Sequence, residues 1–377
     1  MVLRQIPAAL SGALVLAGSL AINAAPPQAA AKAAPDPRKG LTAVDGLLVG
    51  HHTLTERPTG CTVVLAGAEG AVAGVWVGGG APGTRDIELL DPSNTVPKVH
   101  AIVLSGGSAF GLDSASGVMK FLDEKKIGFA TRAGKVPIVP AAILYDLAFG
   151  SKPEVRPGAD CGYRAATEAT AKAVEEGNVG AGAGATVGKL NDMPNAMKGG
   201  IGSSAIVMRD GLVVAALVAV NAVGDVVDPA TGKIVAGARA KAGTGGFADA
   251  RKLIRAGAAY PPRPGENTTI GIVATNAALT KAQARKVAQM AHDGLARAIV
   301  PSHTPADGDT VFALATGTKT GEPDMMRIGA LAADAMAEAI VRGVLAAKTS
   351  GGIPGARDLP AAAAVAPAAA PAPPNKP

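Results

Sequence analysis

Between Leu41 and Asp358 the chain alternates two patterns. Short runs are apolar at nearly every position, and longer stretches repeat apolar residues every three or four positions. The short runs Thr62–Ala66, Ala71–Val77, Ala101–Leu104, Ser204–Met208, Leu212–Asn221, Ile270–Thr275 and Thr310–Ala315 predict strands. Leu212–Val220 has no polar position at all, the pattern of a strand buried on both faces. The longer stretches Ser108–Glu124, Tyr163–Glu176, Lys281–Ile299 and Asp324–Ala347 predict helices. The third opens on a capping box, Thr280 with Gln283, and stops before Pro301; the fourth has Pro323 at its mouth. Helices covering the outer faces of a sheet layer give a layered α/β domain over 41–358, with no internal repeat. Ala/Pro-rich segments flank it, a linker over 25–40 and a tail over 359–377, and their composition predicts disordered or extended chain.

Composition narrows the class. The 377 residues are 48% hydrophobic and 18% charged, which suits a large core. Glycine is abundant at 49 residues and aromatics make up only 3%, pointing to close backbone packing and tight turns, not to stacking platforms for nucleic acid. The formal charge of +6 is spread along the chain without a Lys/Arg cluster, and Arg4 and Lys32 lie before the folded body, so no nucleic-acid partner is expected. Residues 1–24 have the pattern of a secretory signal: Arg4, an apolar run from Ile6 to Ile22, then Ala24 as the last residue before cleavage. Pro7, the glycines and the short span argue against a membrane anchor. The expectation is a secreted, periplasmic protein with no membrane attachment once the signal is removed. Cys61 and Cys161 are the only cysteines, too few for a disulfide framework. They can pair, but the reading the sequence favours is two small buried hydrophobes.

The most informative segment is Pro264–Thr275, PGENTTIGIVAT. A Pro/Gly-rich loop ends at Asn267 and an apolar strand follows at once, so Thr268 and Thr269 stand where a loop enters the core. A hydroxyl there can attack its own preceding carbonyl, giving an ester that water hydrolyses and leaving a free α-amine on the nucleophile. With an ordinary pKa of ~7.7–8.0, that amine can serve as general base for a threonine hydroxyl, which is a weak nucleophile alone. No histidine is then required, which fits five scattered ones, His51, His52, His100, His292 and His303. The plain alternative is that Asn-Thr-Thr simply begins a strand, since threonine favours strands.

The rest of the chain changes those odds. Gly79–Arg85 (GGAPGTR), Ile102–Gly111 (IVLSGGSAFG) and Val136–Ile143 (VPIVPAAI) come first. Gly177–Gly182 (GNVGAG), Gly184–Lys189 (GATVGK) and Val220–Asp225 (VNAVGD) follow, then Asn267–Thr269, Ala291–Leu295 (AHDGL) and Asp307–Thr310 (DGDT). In this order they resemble the L-aminopeptidase/D-esterase family, which includes β-peptidyl aminopeptidases and the endo-hydrolases of nylon oligomers. The likeness runs from Leu41 to Ala347. Asn-Thr at the cut site is similar to the nylon-oligomer branch, where the aminopeptidases have Gly-Ser.

The resemblance implies an αββα sandwich of the N-terminal-nucleophile type, cut between Asn267 and Thr268, with Thr268 as nucleophile and no cofactor or metal. It implies that Lys189 lies near Thr268 and lowers the pKa of its amine, against a solvated lysine after a turn. It implies that the Asn221 amide stabilises the oxyanion, against an asparagine that ties down a turn. Asp307 and Asp309, at i and i+2, would face the same side and hold the Thr268 ammonium, its hydroxyl or a substrate amine, against an ordinary Asp-Gly-Asp turn. Tyr145 would sit at the pocket and donate to the oxyanion, against a packed core tyrosine. The substrate would be a small peptide or amide, such as an amino-acid oligomer, and the assembly a homo-oligomer of processed heterodimers.

Other motifs fail on their residues. Gly184–Lys189 lacks the earlier glycine and the Ser/Thr of a phosphate loop, Leu190 standing in the latter place. Gly106-Gly107-Ser108 has Phe110 where a nucleophile elbow needs glycine. No His/Cys/Asp spacing matches a metal site. Asp113, Asp146 and Asp225 have the look of ordinary helix or turn acids. Two rivals stay open at this point: an acyltransferase on a related self-cleaving fold (ornithine-acetyltransferase-like), and a non-catalytic periplasmic binding protein.

Overall fold

The protein is described from a computed structural model, which covers residues 35–240, 246–257 and 265–359. The expected signal 1–24, most of the linker 25–40, the tail from 360 and Pro264 lie outside the described residues.

The apolar runs become two five-stranded sheets. One has the order Leu48–Thr53, Gly60–Leu65, Ala101–Ser105, Ala141–Ile143, Thr84–Arg85. The other has the order Gly200–Val207, Val213–Asn221, Thr268–Ala277, Thr310–Lys319, Val72–Val77. The strand with no polar position explains the layering. Its residues Val213, Ala215, Leu217 and Ala219 pack with Val64, Ile102 and Leu104 of the first sheet. Its alternate residues Val214, Ala216, Val218 and Val220 pack with two long helices, α4 (Lys281–Ala298) and α5 (Met325–Ala346). Both faces of one strand are buried because its sheet is an inner layer, and each such Val or Leu contributes roughly 1.5–3 kcal/mol. On the far side, α1 (Ser114–Glu124) and α2 (Ala159–Thr167) cover the first sheet through Val118, Leu122 and Ala165 against Val63 and Val103. The order is helix, sheet, sheet, helix, the expected αββα sandwich. A short helix α3 (Ala250–Arg255) lies outside these layers.

Several expectations shift. The stretch Tyr163–Glu176 is helical only to Thr167, because Thr170 then exchanges both backbone hydrogen bonds with Val49 at the sheet edge, each 3.0 Å. Ser108–Asp113 is a 3-10 turn that leads into α1. The strand Leu48–Thr53 was not expected, since Gly50, His51 and His52 break its apolar pattern. The folded chain also starts before Leu41: Pro37–Ala43 is a 3-10 turn, and buried Leu41 donates its N–H to Ser203 Oγ at 2.8 Å. The preference for unpaired cysteines is overturned. Cys61 faces outward from its strand toward α2, where Cys161 lies with its Cα 6.1 Å away, and the two form a disulfide.

Candidate active site

The strand Thr268–Ala277 is central in its sheet, and Thr268 stands opposite Asn221. Alternation sets where the side chains go. Thr268 shares its face with Ile270 and Ile272, and Asn221 shares its face with Leu217 and Ala219; all four apolar residues point between the sheets. Thr268 and Asn221 therefore both aim into the inter-sheet layer at one end of the sandwich. Thr269 has the parity of Val273, which packs on the helices, and its hydroxyl is buried without a hydrogen-bond partner among the described residues. The two rival threonines are thus separated by the pleat.

At the strand head the Thr268 hydroxyl donates to the carbonyl oxygen of Asn267. The Gly308 N–H points at the same pair, 3.1 Å from the Asn267 carbonyl oxygen and 3.2 Å from Thr268 Oγ1. A peptide carbonyl, the hydroxyl that follows it and a backbone donor meet in one buried spot.

Asp307 and Asp309 flank that donor but differ in their surroundings. Asp309 Oδ1 accepts from Thr269 N at 2.8 Å, and its Oδ2 accepts from His303 N at 3.0 Å and lies 2.9 Å from His303 Nδ1. Asp307 Oδ2 accepts from Thr304 N at 2.9 Å, while its Oδ1 is buried without a partner among the described residues. Burial, and next the charge of Asp309, raise the Asp307 pKa to about 6. Of four buried, unpartnered side-chain polar atoms among the described residues, three belong to Asn267, Thr269 and Asp307. Such atoms are uncommon enough that their convergence on one place marks it.

Lys189 arrives from the other side. Gly188 has φ +74°, and a Cβ there would lie 2.0 Å from the Gly237 carbonyl carbon, so only glycine fits the turn. Gly188 N and Lys189 N donate to the carbonyls of Gly224 and Val223 at 2.9 and 2.8 Å, fixing the turn just past Asn221. Lys189 Nζ then donates to Asn221 O at 2.9 Å and Asn221 Oδ1 at 3.1 Å. Burial lowers the lysine pKa to about 7, although the carboxylates of Asp307 and Glu266 oppose the shift. Asn221 Oδ1 also accepts from Thr186 N at 3.0 Å, and its Nδ2 donates to the Tyr145 carbonyl at 2.9 Å. One of the two Asn221 Nδ2 hydrogens is engaged by the Tyr145 carbonyl, and the backbone donor that faces the carbonyl at the cut site is Gly308 N–H. Tyr145 lines a cavity of about 250 Å³ together with Phe149, Lys189, Met193, Glu266 and Asn267. Asn267, on the acyl side of the bond to Thr268, is thus part of the cleft wall.

The structure joins Thr268, Asn221, Lys189, Asp307 and Asp309 at one strand end and sets Tyr145 on the adjoining wall. Two expectations about other residues fail. Asp146 is no ordinary turn acid: it is buried with Arg57, whose Nη2 donates to Oδ1 at 2.8 Å, while Thr59 Oγ1 and Gly107 N donate at 2.5 and 2.9 Å. Asp225 is likewise buried, accepting from Ala238 N and Ala250 N at 2.8 and 2.7 Å, with burial raising its pKa. Asp113 does stay near the surface, accepting from Ala159 N at 3.2 Å. His303 and Gly308 were not singled out. A histidine far from the motif in sequence, and a backbone N–H, leave no side-chain signature.

The sandwich and the buried hydroxyl, carboxylate and lysine cluster define a hydrolase of peptide or amide bonds. More particularly, the chain belongs to peptidase family S58, whose model matches residues 39–357. An uncharacterized aminopeptidase of Mycobacterium tuberculosis is 43% identical over 347 residues, covering 85% of this chain and 97% of that protein. A 6-aminohexanoate-oligomer endohydrolase of Kocuria sp. is 30% identical over 308 residues, covering 78% and 83%. Among solved structures, the L-aminopeptidase D-Ala-esterase/amidase of Ochrobactrum anthropi superposes with a TM-score of 0.59 over 84% of this chain and 88% of that one. At 18% identity it speaks for the fold alone, described for that protein as a variant of the Ntn hydrolase fold.

Proposed function

We propose that this chain cuts its own backbone between Asn267 and Thr268 and then uses Thr268 to hydrolyse amide bonds of small peptides or amino-acid oligomers. The observation that carries the proposal is the contact at the strand head: the Thr268 hydroxyl against the Asn267 carbonyl, with Gly308 N–H facing both.

In the first stage Thr268 Oγ1 bonds to the Asn267 carbonyl carbon and gives its proton to a neighbouring base, the role we assign to Asp307 because burial raises its pKa and one of its oxygens is without a partner among the described residues. Gly308 N–H holds the oxyanion that forms. The C–N bond breaks, the nitrogen takes up a proton, and water hydrolyses the resulting ester to a carboxylic acid at Asn267 and the free hydroxyl of Thr268. In the second stage the new α-amine takes the hydroxyl proton while Oγ1 attacks a substrate carbonyl, and ionised Asp307 holds the resulting ammonium and exchanges its proton. The amine product leaves with a proton, and water releases the acid. Lys189, bound to both oxygens of Asn221 beside Thr268, lowers the pKa of the α-amine to the extent that it is itself protonated.

The cleft supports a narrow, amine-bearing substrate. Phe149, Met193 and Val223 offer apolar walls, and Glu266 and Asp192 offer carboxylates. The names of the Mycobacterium and Kocuria relatives point to the same class, peptides read from the amino end or ω-amino-acid oligomers. We further propose export to the periplasm through the signal 1–24. The Cys61–Cys161 disulfide agrees with an oxidising compartment. The processed pair of chains would assemble as a homo-oligomer.

The test is N-terminal sequencing of purified material. A second polypeptide beginning Thr268-Thr269-Ile270 is the expected result. A single intact chain that hydrolyses amides at full rate would overturn the proposal.

A further inference from the structure

His303 and His292 form a short chain that ends on Asp309, and their contacts determine where the protons are. His292 Nε2 lies 2.9 Å from the Trp76 carbonyl oxygen, which can only accept, so this nitrogen carries hydrogen. In a neutral His292 ring, Nδ1 is then a lone pair. His303 Nε2 faces that lone pair at 3.3 Å and the His292 carbonyl oxygen at 3.4 Å. Both neighbours are acceptors, so His303 Nε2 carries hydrogen as well. His303 Nδ1 stands 2.9 Å from Asp309 Oδ2. Asp309 already takes backbone N–H groups from Thr269 and His303, so it is an acceptor and His303 Nδ1 is a donor. With hydrogen on both nitrogens, the His303 ring is a cation.

The surroundings are built for this pair. The rings lie 4.7 Å apart, and a Cβ on Gly78 would come within 2.8 Å of His292 Nδ1 and 3.1 Å of His303 Nδ1, so the loop over them has room only for glycine. The ionisable groups facing His303 are Asp309 and, further off, Asp307 on its own loop, and His292 from α4, where Asp293 also bears on His292. Lys189 is the other basic group on which both aspartates act.

We propose that His303 is a positioning residue: a doubly protonated ring, braced by His292, that fixes Asp309 as an anion and leaves proton exchange beside Thr268 to Asp307. Burial works against the His303 charge, but hydrogen bonding and attraction from Asp309 outweigh it and raise the ring above its usual pKa. Burial keeps His292 neutral, lowering it to about 4. Two carboxyl groups that look equivalent in Asp-Gly-Asp are thereby given different tasks. The inference rests on Thr268 as the nucleophile, since only then does the carboxylate pair serve a reaction.

Two measurements test it. In the uncut full chain carrying Thr268→Ala, nitrogen-15 NMR of labelled histidines at pH 6 should show His303 protonated on both nitrogens and His292 on Nε2 only; a neutral His303 overturns the proposal without reference to activity. The second is the pH profile of kcat/KM for His303→Asn, which keeps a donor near the Nδ1 position and suits the backbone φ of +56°. Removing the cation should raise the acidic limb by about one pH unit, the scale of one adjacent charge. That is about a tenfold loss at pH 5.5, with less than about a threefold change at pH 7.5 and KM unmoved. A profile that superimposes on the parent, or a loss equal at every pH, overturns the assignment. Failure of the Thr268 reading shows separately, as a parent chain with no new amino terminus.

Discussion

Two buried polar clusters border the cleft, and they are built to different rules. Around Asp146 the partners are complete: Arg57, Thr59 and Gly107 N fill its oxygens, and Arg57 also donates to the Asp146, Phe149 and Val155 carbonyls. Around Thr268 the partners are deliberately short. Asp307 lies beside Asp309, one of its oxygens is orphaned, and the hydroxyl leans on the bond that precedes it. A satisfied buried ion pair holds loops in place, whereas a buried carboxyl group with an orphaned oxygen beside a second carboxylate is left able to exchange a proton. The same residue type, a buried loop aspartate, is fully partnered in one place and left with an orphaned oxygen in the other, and under the proposed function the first serves scaffold and the second chemistry.

Substitutions should respect that division. Thr268→Ala should abolish the cut on a denaturing gel and lower amide hydrolysis by about 10³-fold or more. Asp307→Asn should fold normally yet slow turnover by about 10²- to 10⁴-fold. In the parent, kcat/KM should fall as pH drops through about 6, where Asp307 gains a proton, and a rate profile flat from pH 5 to 7 would remove it from the reaction. Arg57→Met should do the reverse: a stability loss of about 3–5 kcal/mol by denaturant titration, because Asp146 is left buried and unpaired. Adding Asp146→Asn should recover part of it, and a double variant no more stable than the single would argue against a charge origin.

The smallest effect concerns Lys198. It is fully buried, donates to the Ala183 and Ala185 carbonyls at 2.9 and 2.7 Å, and lies 4.1 Å over the Phe149 ring. Burial lowers its pKa to about 7 from 10.5. Between those values the unfolded chain binds a proton that the folded chain does not, so stability should rise with pH across that window and be lost as pH falls toward 7. Lys198→Met should flatten that rise by up to about 1 kcal/mol per pH unit, seen as melting temperature against pH.

Much of the frame was visible in the linear pattern. The unbroken apolar run Leu212–Val220 could only be a strand covered on both sides, and the loop-to-strand change at Asn267 marked the site. What stayed hidden depends on register and distance. Which threonine faces the inter-sheet layer follows from Asn221 lying opposite Thr268, and no local pattern encodes that pairing. Cys61 and Cys161 meet across 100 residues, as do Arg57 and Asp146 across 89. His303 looked superfluous because an α-amine can replace a histidine as base; its contacts place it one step behind the carboxylate instead. Gly308 reaches Asn267 and Thr268 through its backbone N–H, which every residue but proline has.

The sheet that holds Thr268 has a further consequence. Its order places two strands from after residue 267 between strands from before it, with Val213–Asn221 on one side and Val72–Val77 on the other. Neither portion of the chain can complete that layer alone, and a half-built layer would not press the hydroxyl onto its carbonyl. Under self-scission, maturation would then act as an inspection of the finished architecture: a copy that mispairs its strands stays inert, and no hydrolytic activity is released before the molecule has proved it can hold its shape.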